Sequence, residues 1–135
     1  MSNKEGEELI NYWLNGSDSD YDAMMNLFKS GNYTWCLFIA HIVIEKLFKG
    51  LYAKINYDTP YASKTHNLLK LAEDCKIELD NEKINCLTVI NTFNISARYD
   101  DYKNEFSKKC NKEYTQEQIN KIEVIQEWLK SLIKA

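Results

Sequence analysis

The stretch of sequence that decides the fold is Trp35-Cys36-Leu37-Phe38-Ile39-Ala40-His41-Ile42-Val43-Ile44. It is apolar at almost every position, so a helix formed by it would be buried on nearly all sides. We therefore predict a central helix from about Tyr33 to Ile55, entered after Gly31, which ends the preceding helix in the left-handed conformation at little steric cost. The stretch is far too short to span a bilayer, so no membrane contact is expected.

Amphipathic segments flank this central helix on both sides and predict an all-α fold. Apolar residues at helical spacing predict a first helix over about residues 6–30, with a kink near Gly16; they are Leu9, Trp13, Met24, Leu27 and Phe28. Thr65 is the predicted N-cap of a short third helix from His66 to about Lys76.

The remaining C-terminal part of the chain predicts two more helices separated by an irregular segment. Asp80 should cap a fourth helix from Asn81 to about Ile95, with four inward-facing residues: Ile84, Leu87, Ile90 and Phe93. The polar segment 98–111 is expected to be irregular, and the series Thr115-Gln116-Glu117-Gln118 to be a capping box that opens the last helix. We expect one domain over residues 1–135, an antiparallel up-down bundle of four long helices plus a short fifth.

Composition and charge exclude several classes of protein. Hydrophobic residues make up 44% and aromatic residues 13%, which suffices for a packed core. The net charge of −3 provides no global positive field for nucleic acid, so such contacts would need a local cluster. At the N-terminus no basic stretch is followed by an apolar run, so no signal peptide is expected; the four cysteines lack a CxxC spacing, so we expect reduced thiols in a cytoplasmic protein.

Polar residues on predicted apolar faces are the first candidates for a site. Asp20 shares a face with Trp13 and Met24, so its carboxylate needs a donor or an opening; a structural hydrogen bond and a functional role are both open. His41 and Glu45 lie one turn apart and are expected to form a hydrogen-bonded pair, whereas Lys49 is interpreted as part of a solvated ion pair with Glu45. No third ligand accompanies His41 and Glu45, so no metal site and no cofactor are predicted.

Arg98 is the most informative polar residue because it is the single arginine among 17 lysines and arginines. A guanidinium recognises carboxylate or phosphate in a planar, bidentate geometry that an ammonium cannot match. The structural interpretation is a bond to Asp20 or to carbonyls at a helix end, and both roles can hold at once. The lysines and aromatic residues that follow alternate with acidic residues, which favours a surface loop over a nucleic-acid site.

Several of these residues occur in an order that resembles a HEPN domain (higher eukaryotes and prokaryotes nucleotide-binding). The resembling segments cover nearly the whole chain: Tyr12-Trp13-Leu14 with Asp20 and Ala23, Gly31-Asn32-Tyr33, the run from Cys36 to His41, Glu45-Lys46-Leu47-Phe48-Lys49-Gly50, Thr65-His66-Asn67-Leu68-Leu69, and Ala97-Arg98-Tyr99. The resemblance implies a bundle of about five helices that dimerises around a polar groove. It also implies a prokaryotic partner, a minimal nucleotidyltransferase encoded beside such domains, often as a toxin–antitoxin pair.

Other members of this family are metal-independent ribonucleases, and they carry an Arg followed four to six residues later by His. Here Tyr102, Lys103 and Asn104 occupy those offsets from Arg98, so the nuclease signature is broken. A 2′-hydroxyl needs a proton acceptor that titrates near neutral pH, and an Arg cannot serve as one. His41, which stands where family members usually have Gln, lies upstream of Arg98.

The leading hypothesis from the sequence is therefore a homodimeric module that binds a nucleotide, RNA or a nucleotidyltransferase and is not catalytic alone. Its candidate binding residues are Asp20, His41, Glu45, Lys46, Arg98, Tyr99, Asp100 and Tyr102. The alternatives are a ribonuclease that uses Arg98 with His41 or Tyr102, and a purely structural dimerisation domain.

Overall fold

The computed structural model describes residues 4–56 and 58–135 of the protein, and for residues 100–103 it describes the backbone alone. Within these ranges the fold is all-α, with six helices and no strand. The helices are α1 Lys4–Lys29, α2 Tyr33–Ile55, α3 Leu68–Asp74, α4 Asn81–Ser96, α5 Asp100–Lys109 and α6 Lys112–Lys134. Five helices were predicted, so α5 is an addition.

Helix α2 is the centre of the core, as the apolar run at its start predicts. It has the predicted bounds and packs against all five other helices, with α1 and α6 as its main neighbours. Its fully buried residues include Leu37, Ile44, Leu47 and Phe48. Full burial of side chains of this size stabilises a fold by roughly 1.5–3 kcal/mol each, so α2 holds the other helices together.

Small residues bring α1 and α2 close together. The buried Ser17 hydroxyl donates to the Val43 carbonyl over 2.8 Å, and a Cβ added to Gly50 would lie 3.3 Å from the Cβ of Trp13. Helix α1 is continuous through Gly16, where the sequence predicted a kink. Gly16 instead leaves room for the Lys46 side chain, whose Cδ would be 3.3 Å from an added Cβ.

Two of the three predicted N-caps are wrong. In both cases the capping residue is an asparagine and not the threonine that was predicted. Asn67 accepts from the Leu69 amide and caps α3, while Thr65 Oγ1 accepts from the Asn67 amide just before it. Asn111 caps α6, four residues before the predicted cap, which leaves Thr115 fully buried within the helix. The Asp80 cap of α4 is confirmed by a 2.8 Å bond from the Lys83 amide.

The segment predicted to be irregular forms helix α5. Its buried apolar side chain, Phe106, is 7% exposed and packs against Phe93 of α4 with 5.7 Å between ring centroids. Helix α5 has ten residues, and Phe106 is the one buried apolar residue among its described side chains. Its sequence therefore has no repeated apolar face, and helical periodicity did not predict it. The inward prediction for α4 is confirmed for Leu87, Ile90 and Phe93 but wrong for Ile84, which is 39% exposed.

All four cysteines are free thiols, as predicted. Burial raises the pKa of Cys36 and of Cys75 to about 12, so both remain protonated packing residues.

Among residues 4–56 and 58–135, no helix combines the length and the apolar character that crossing a bilayer demands.

Candidate functional site

A polar cluster on α2 is centred on the buried carboxylate of Glu45. Lys49, one turn further along the helix, donates to Glu45 Oε2 over 3.0 Å. The second carboxylate oxygen, Oε1, lies 2.9 Å from Nδ1 of His66, which precedes α3. Because an ionised carboxylate only accepts, Nδ1 of His66 is the donor. We call Glu45, Lys49 and His66 the Glu45 cluster; it fastens the start of α3 to the central helix.

The hydrogen bonds of this cluster decide the charge of Glu45. Burial is the largest influence and raises the pKa of Glu45, but the bonds from His66 and Lys49 together outweigh it and leave the pKa below its usual 4.5. The Lys49 side chain is only 12% exposed and also lies 5.4 Å from the Trp13 ring centroid. The interpretation of Lys49 as a solvated surface residue is therefore wrong.

His41 is held in a different way from the sequence prediction. Its Nε2 lies 2.8 Å from the His66 carbonyl oxygen and must donate, since a carbonyl oxygen has no proton. Nδ1 is buried, has no hydrogen-bond partner among the described residues and lies 3.7 Å from Glu45 Oε1, so the predicted His41–Glu45 hydrogen bond is absent. Burial lowers the pKa of His41 below 6.5 and keeps the ring neutral, although Glu45 acts in the opposite direction. In this arrangement neither nitrogen of His41 is available to accept a proton from a ligand at the surface.

The depressed pKa of His41 predicts a loss of stability in mild acid. In the unfolded chain the imidazole of His41 binds a proton near pH 6.5, whereas in the folded protein it does so only at lower pH. The stability that is present above pH 6.5 is therefore lost as the pH falls, by up to about 1.4 kcal/mol per pH unit. Glutamine at position 41 keeps a neutral N–H donor for the His66 carbonyl and does not titrate. We expect His41→Gln to lose less stability than the wild type between about pH 7.5 and pH 5.5, measured by urea unfolding; parallel pH profiles of the two proteins would contradict this.

Asp20 and Lys46 form a second group, between α1 and α2. Lys46 Nζ lies 2.6 Å from Asp20 Oδ2, with side-chain exposures of 29% and 25%. This ammonium compensates the charge of the apolar-face carboxylate as an ion pair, although Asp20 Oδ2 has no partner with hydrogen-bond geometry among the described residues. The predicted alternative of a bond between Asp20 and Arg98 is therefore wrong, and Lys46 is occupied within the fold.

Arg98 forms the third group, at the end of α4. Its Nε donates to the Asn94 carbonyl over 2.9 Å, which is the predicted bond to a helix-end carbonyl. The exposed guanidinium lies 5.9 Å from the Phe38 ring centroid and 5.6 Å from that of Tyr99. No ion pair joins it to a carboxylate among the residues whose side chains are described. The bond to Asn94 orients the planar group, and its terminal N–H groups form no hydrogen bond with the side chains that the structure describes.

The eight candidate residues are therefore divided among separate groups. Phe38, beneath Arg98, and Glu45 are seven residues apart on α2, a rise of about 10 Å, and no hydrogen bond or ion pair joins Arg98 to the Glu45 cluster among the described side chains. Tyr99 accompanies Arg98 and is 53% exposed. The side chains of Asp100 and Tyr102 lie outside the described residues.

Sequence reasoning did not select His66 or Phe38 as site residues. His66 was interpreted as the first residue of α3, and Phe38 as core. The signal available for His66 was its place next to the polar Thr65 and Asn67, in a segment that also resembles the HEPN pattern. Its distance to Glu45, however, depends on the packing of the loop before α3, which no local pattern predicts.

Metal-binding groups do not converge in the part of the chain that the structure describes. No three His, Cys, Asp or Glu side chains there lie close enough to hold a metal ion.

Comparison with known proteins identifies the type of domain. The model of the family described as "HEPN domain" matches residues 10–132. The crystal structure of TT1696 from Thermus thermophilus superposes with a TM-score of 0.75 at 17% identity, and the similarity covers 91% of this chain and 97% of that one. At this identity the likeness shows the fold alone. No curated protein matches the chain.

Proposed function

The chain belongs to the HEPN domain family, and from this membership we propose that it is a nucleotide-binding module whose phosphate-binding residue is Arg98. The observation that carries the proposal is the oriented, exposed guanidinium, with one N–H fixed to Asn94 and none paired with a carboxylate among the described side chains. A phosphate offers two acceptor oxygens that match this planar donor group.

Aromatic rings beside Arg98 support a nucleotide rather than a simple anion as the ligand. Tyr99 is 53% exposed and Trp35 39% exposed, and Trp35 packs edge-to-face on Phe38 with 5.5 Å between centroids. Bases stack on exposed aromatic faces, with roughly 1–3 kcal/mol per stacked base. Arg98 would bind the phosphate while an exposed aromatic ring beside it stacks on the base, so both parts of a nucleotide have a partner.

The module we propose does not cleave RNA by itself. Cleavage needs a proton acceptor beside the phosphate, and His41 is the histidine one turn of α2 from Phe38, the ring beneath Arg98. Its Nδ1 is buried and its Nε2 donates to the His66 carbonyl. His66 is more exposed, but its ring is bonded to Glu45, about two turns of α2 away from Phe38.

We further propose that the four long helices, α1, α2, α4 and α6, form an up-down bundle that dimerises and works with a small nucleotidyltransferase, as in toxin–antitoxin pairs. Ile95, three residues before Arg98, is 49% exposed and supports a protein contact near Arg98; Ile84 and Val89 are exposed further away on α4. The free cysteines suit the reducing cytoplasm, where we place the protein.

Titration calorimetry with ATP and GTP tests the nucleotide site. Arg98→Ala and Arg98→Lys should each weaken binding by roughly 10- to 100-fold, because even the lysine loses the bidentate charge-assisted bonds. Lys121→Ala is the matched control: it removes a cation that lies 3.7 Å from Glu117 on α6, away from Arg98, and should change nothing.

Two results would overturn the proposal. Equal affinity in the wild type and both Arg98 variants would exclude Arg98 as the phosphate-binding residue, and no binding of ATP or GTP by the wild type would leave a purely structural dimerisation domain. Degradation of RNA by the purified wild type that stops in Arg98→Ala or His41→Ala would establish the ribonuclease instead. Co-purification with a nucleotidyltransferase tests the partner separately.

A further inference from the structure

His41 has one ring nitrogen that forms no bond within the described fold. The residue is 1% exposed, and its Nε2 donates to the His66 carbonyl oxygen over 2.8 Å. Nδ1 is buried and has no hydrogen-bond partner among the described residues. Because buried polar atoms in native proteins are nearly always bonded, such an atom calls for an explanation. A proton is the smallest group that could occupy Nδ1, and it would turn this nitrogen into a donor.

The carboxylate of Glu45 lies close enough to pair with a protonated His41. Its Oε1 is 3.7 Å from Nδ1 of His41, and the same oxygen accepts from Nδ1 of His66 over 2.9 Å. Lys49 donates to the other oxygen of this carboxylate. A carboxylate oxygen has two acceptor positions, so Oε1 can serve both histidines. The imidazolium form of His41 would therefore have a counterion within the fold.

Positive charge from two other elements opposes the protonation of His41. Burial is the main reason that the pKa of His41 lies below 6.5, and Glu45 acts in the opposite direction. His66, before α3, and Arg98, at the end of α4, lower this pKa further by charge repulsion. Glu45, His66 and Arg98 are the charged and titratable groups that act on His41 among the described side chains.

Phe38 connects Arg98 with His41. It lies on α2 one turn before His41, and the guanidinium carbon of Arg98 is 5.9 Å from its ring centroid. Charges interact more strongly across packed apolar side chains than across water, because the local dielectric constant is lower. A phosphate bound to Arg98 would bring a negative charge that cancels the repulsion. Protonation of His41 would then cost less free energy.

We propose that the Arg98 site is regulated by a proton: a bound nucleotide favours protonation of His41, and protonated His41 favours the nucleotide. The inference rests on the proposed nucleotide site and adds its regulation. Two ligands of one protein change each other's affinity by the same factor, so nucleotide binding tightens as His41 gains its proton. In the free protein this occurs below pH 6.5. The proton comes from solvent, and His41 does not touch the nucleotide.

Titration calorimetry with ATP at about pH 7.5 and about pH 5.5 tests this regulation. At the lower pH the wild type should gain affinity by about two- to fivefold relative to His41→Gln. Repeating the titration in two buffers with different heats of ionisation counts the protons that are taken up. The wild type should take up more protons than His41→Gln, in which position 41 does not titrate. The terminal phosphate of ATP also titrates, but it contributes equally to both proteins.

The coupling can also be measured without a nucleotide. The chain has two histidines, so the NMR signals of the His41 ring can be followed in a pH series and assigned by their loss in His41→Gln. Arg98→Ala should raise the pKa of His41 because the repelling charge is gone, whereas Arg98→Lys keeps the charge and the wild-type titration. Lys121→Ala removes a cation that lies 3.7 Å from Glu117 on α6 and should leave the titration unchanged. In the wild type, addition of ATP should raise the pKa of His41.

The outcomes distinguish this inference from the function on which it rests. Equal proton uptake in the wild type and His41→Gln, with ATP bound by both, would overturn the inference alone. The same holds for a His41 titration that is identical in the wild type and Arg98→Ala. No binding of ATP by the wild type would overturn the nucleotide site and its regulation together.

Discussion

Replacing Glu45 with alanine is expected to lower the free energy of unfolding by about 3 kcal/mol or more, because breaking a buried ion pair leaves its partner uncompensated. The partner is Lys49, whose side chain is 12% exposed and bonded to Glu45 at 3.0 Å. His66 loses the acceptor for its Nδ1 in the same variant. Since a domain of this size has only about 5–15 kcal/mol of stability, urea unfolding should show a large shift of the midpoint.

The cause of this effect can be separated from a general loss of packing. Glu105→Ala removes an exposed carboxylate 3.5 Å from Lys108, with side-chain exposures of 81% and 74%, and should change stability by no more than about 1 kcal/mol. In the double variant Glu45→Leu/Lys49→Met no unpaired charge remains, so much of the stability should return. If the double variant is as unstable as Glu45→Ala, the unpaired ammonium is not the reason.

Protonation of Glu45 should also lower the free energy of unfolding at acidic pH. Its folded pKa lies below the usual 4.5, so the unfolded chain takes up this proton first as pH falls. The stabilisation is therefore complete above about pH 4.5 and is lost below it. This window lies under that of His41, so the two groups can be distinguished in one pH series.

The central helix was predictable because its signal is local and repeated. A run of apolar residues from Trp35 to Ile44 has few alternatives to burial, and Gly31 ends α1 with a φ of 80° as a helix-terminating glycine does. The caps of α3 and α6 were harder, because asparagine and threonine near each helix start can both accept from the backbone. Asn67 and Asn111 in fact cap these helices, which a single sequence does not reveal.

The site residues show the same limit more strongly. The lone arginine and the polar residues of α2 were visible in the sequence, but their partners were not. Glu45 is bonded to His66, which is 21 residues away, and Asp20 to Lys46, which is 26 residues away. Such pairings depend on how loops and helices pack, whereas sequence spacing reports only neighbours on the same helix.

The second large effect concerns Phe106, the side chain through which α5 joins the core. Phe106→Ala should lower the free energy of unfolding by about 3–5 kcal/mol, the range for a buried phenylalanine that is replaced by alanine. The ring is 7% exposed and packs against Phe93. Phe106→Leu keeps most of the apolar volume and should lose less than about 1.5 kcal/mol.

The same substitution should act locally before it acts globally. Helix α5 packs only against α4 and α2 among its main neighbours, and Tyr99 is its N-cap residue. Without Phe106, amide hydrogens of α5 should exchange faster than those of α6, because local opening then needs less free energy. Nucleotide affinity should fall as well, since Tyr99 beside Arg98 would lose its support. If α5 and α6 lose protection to the same degree, α5 is not an independent unit and Phe106 acts only through global stability.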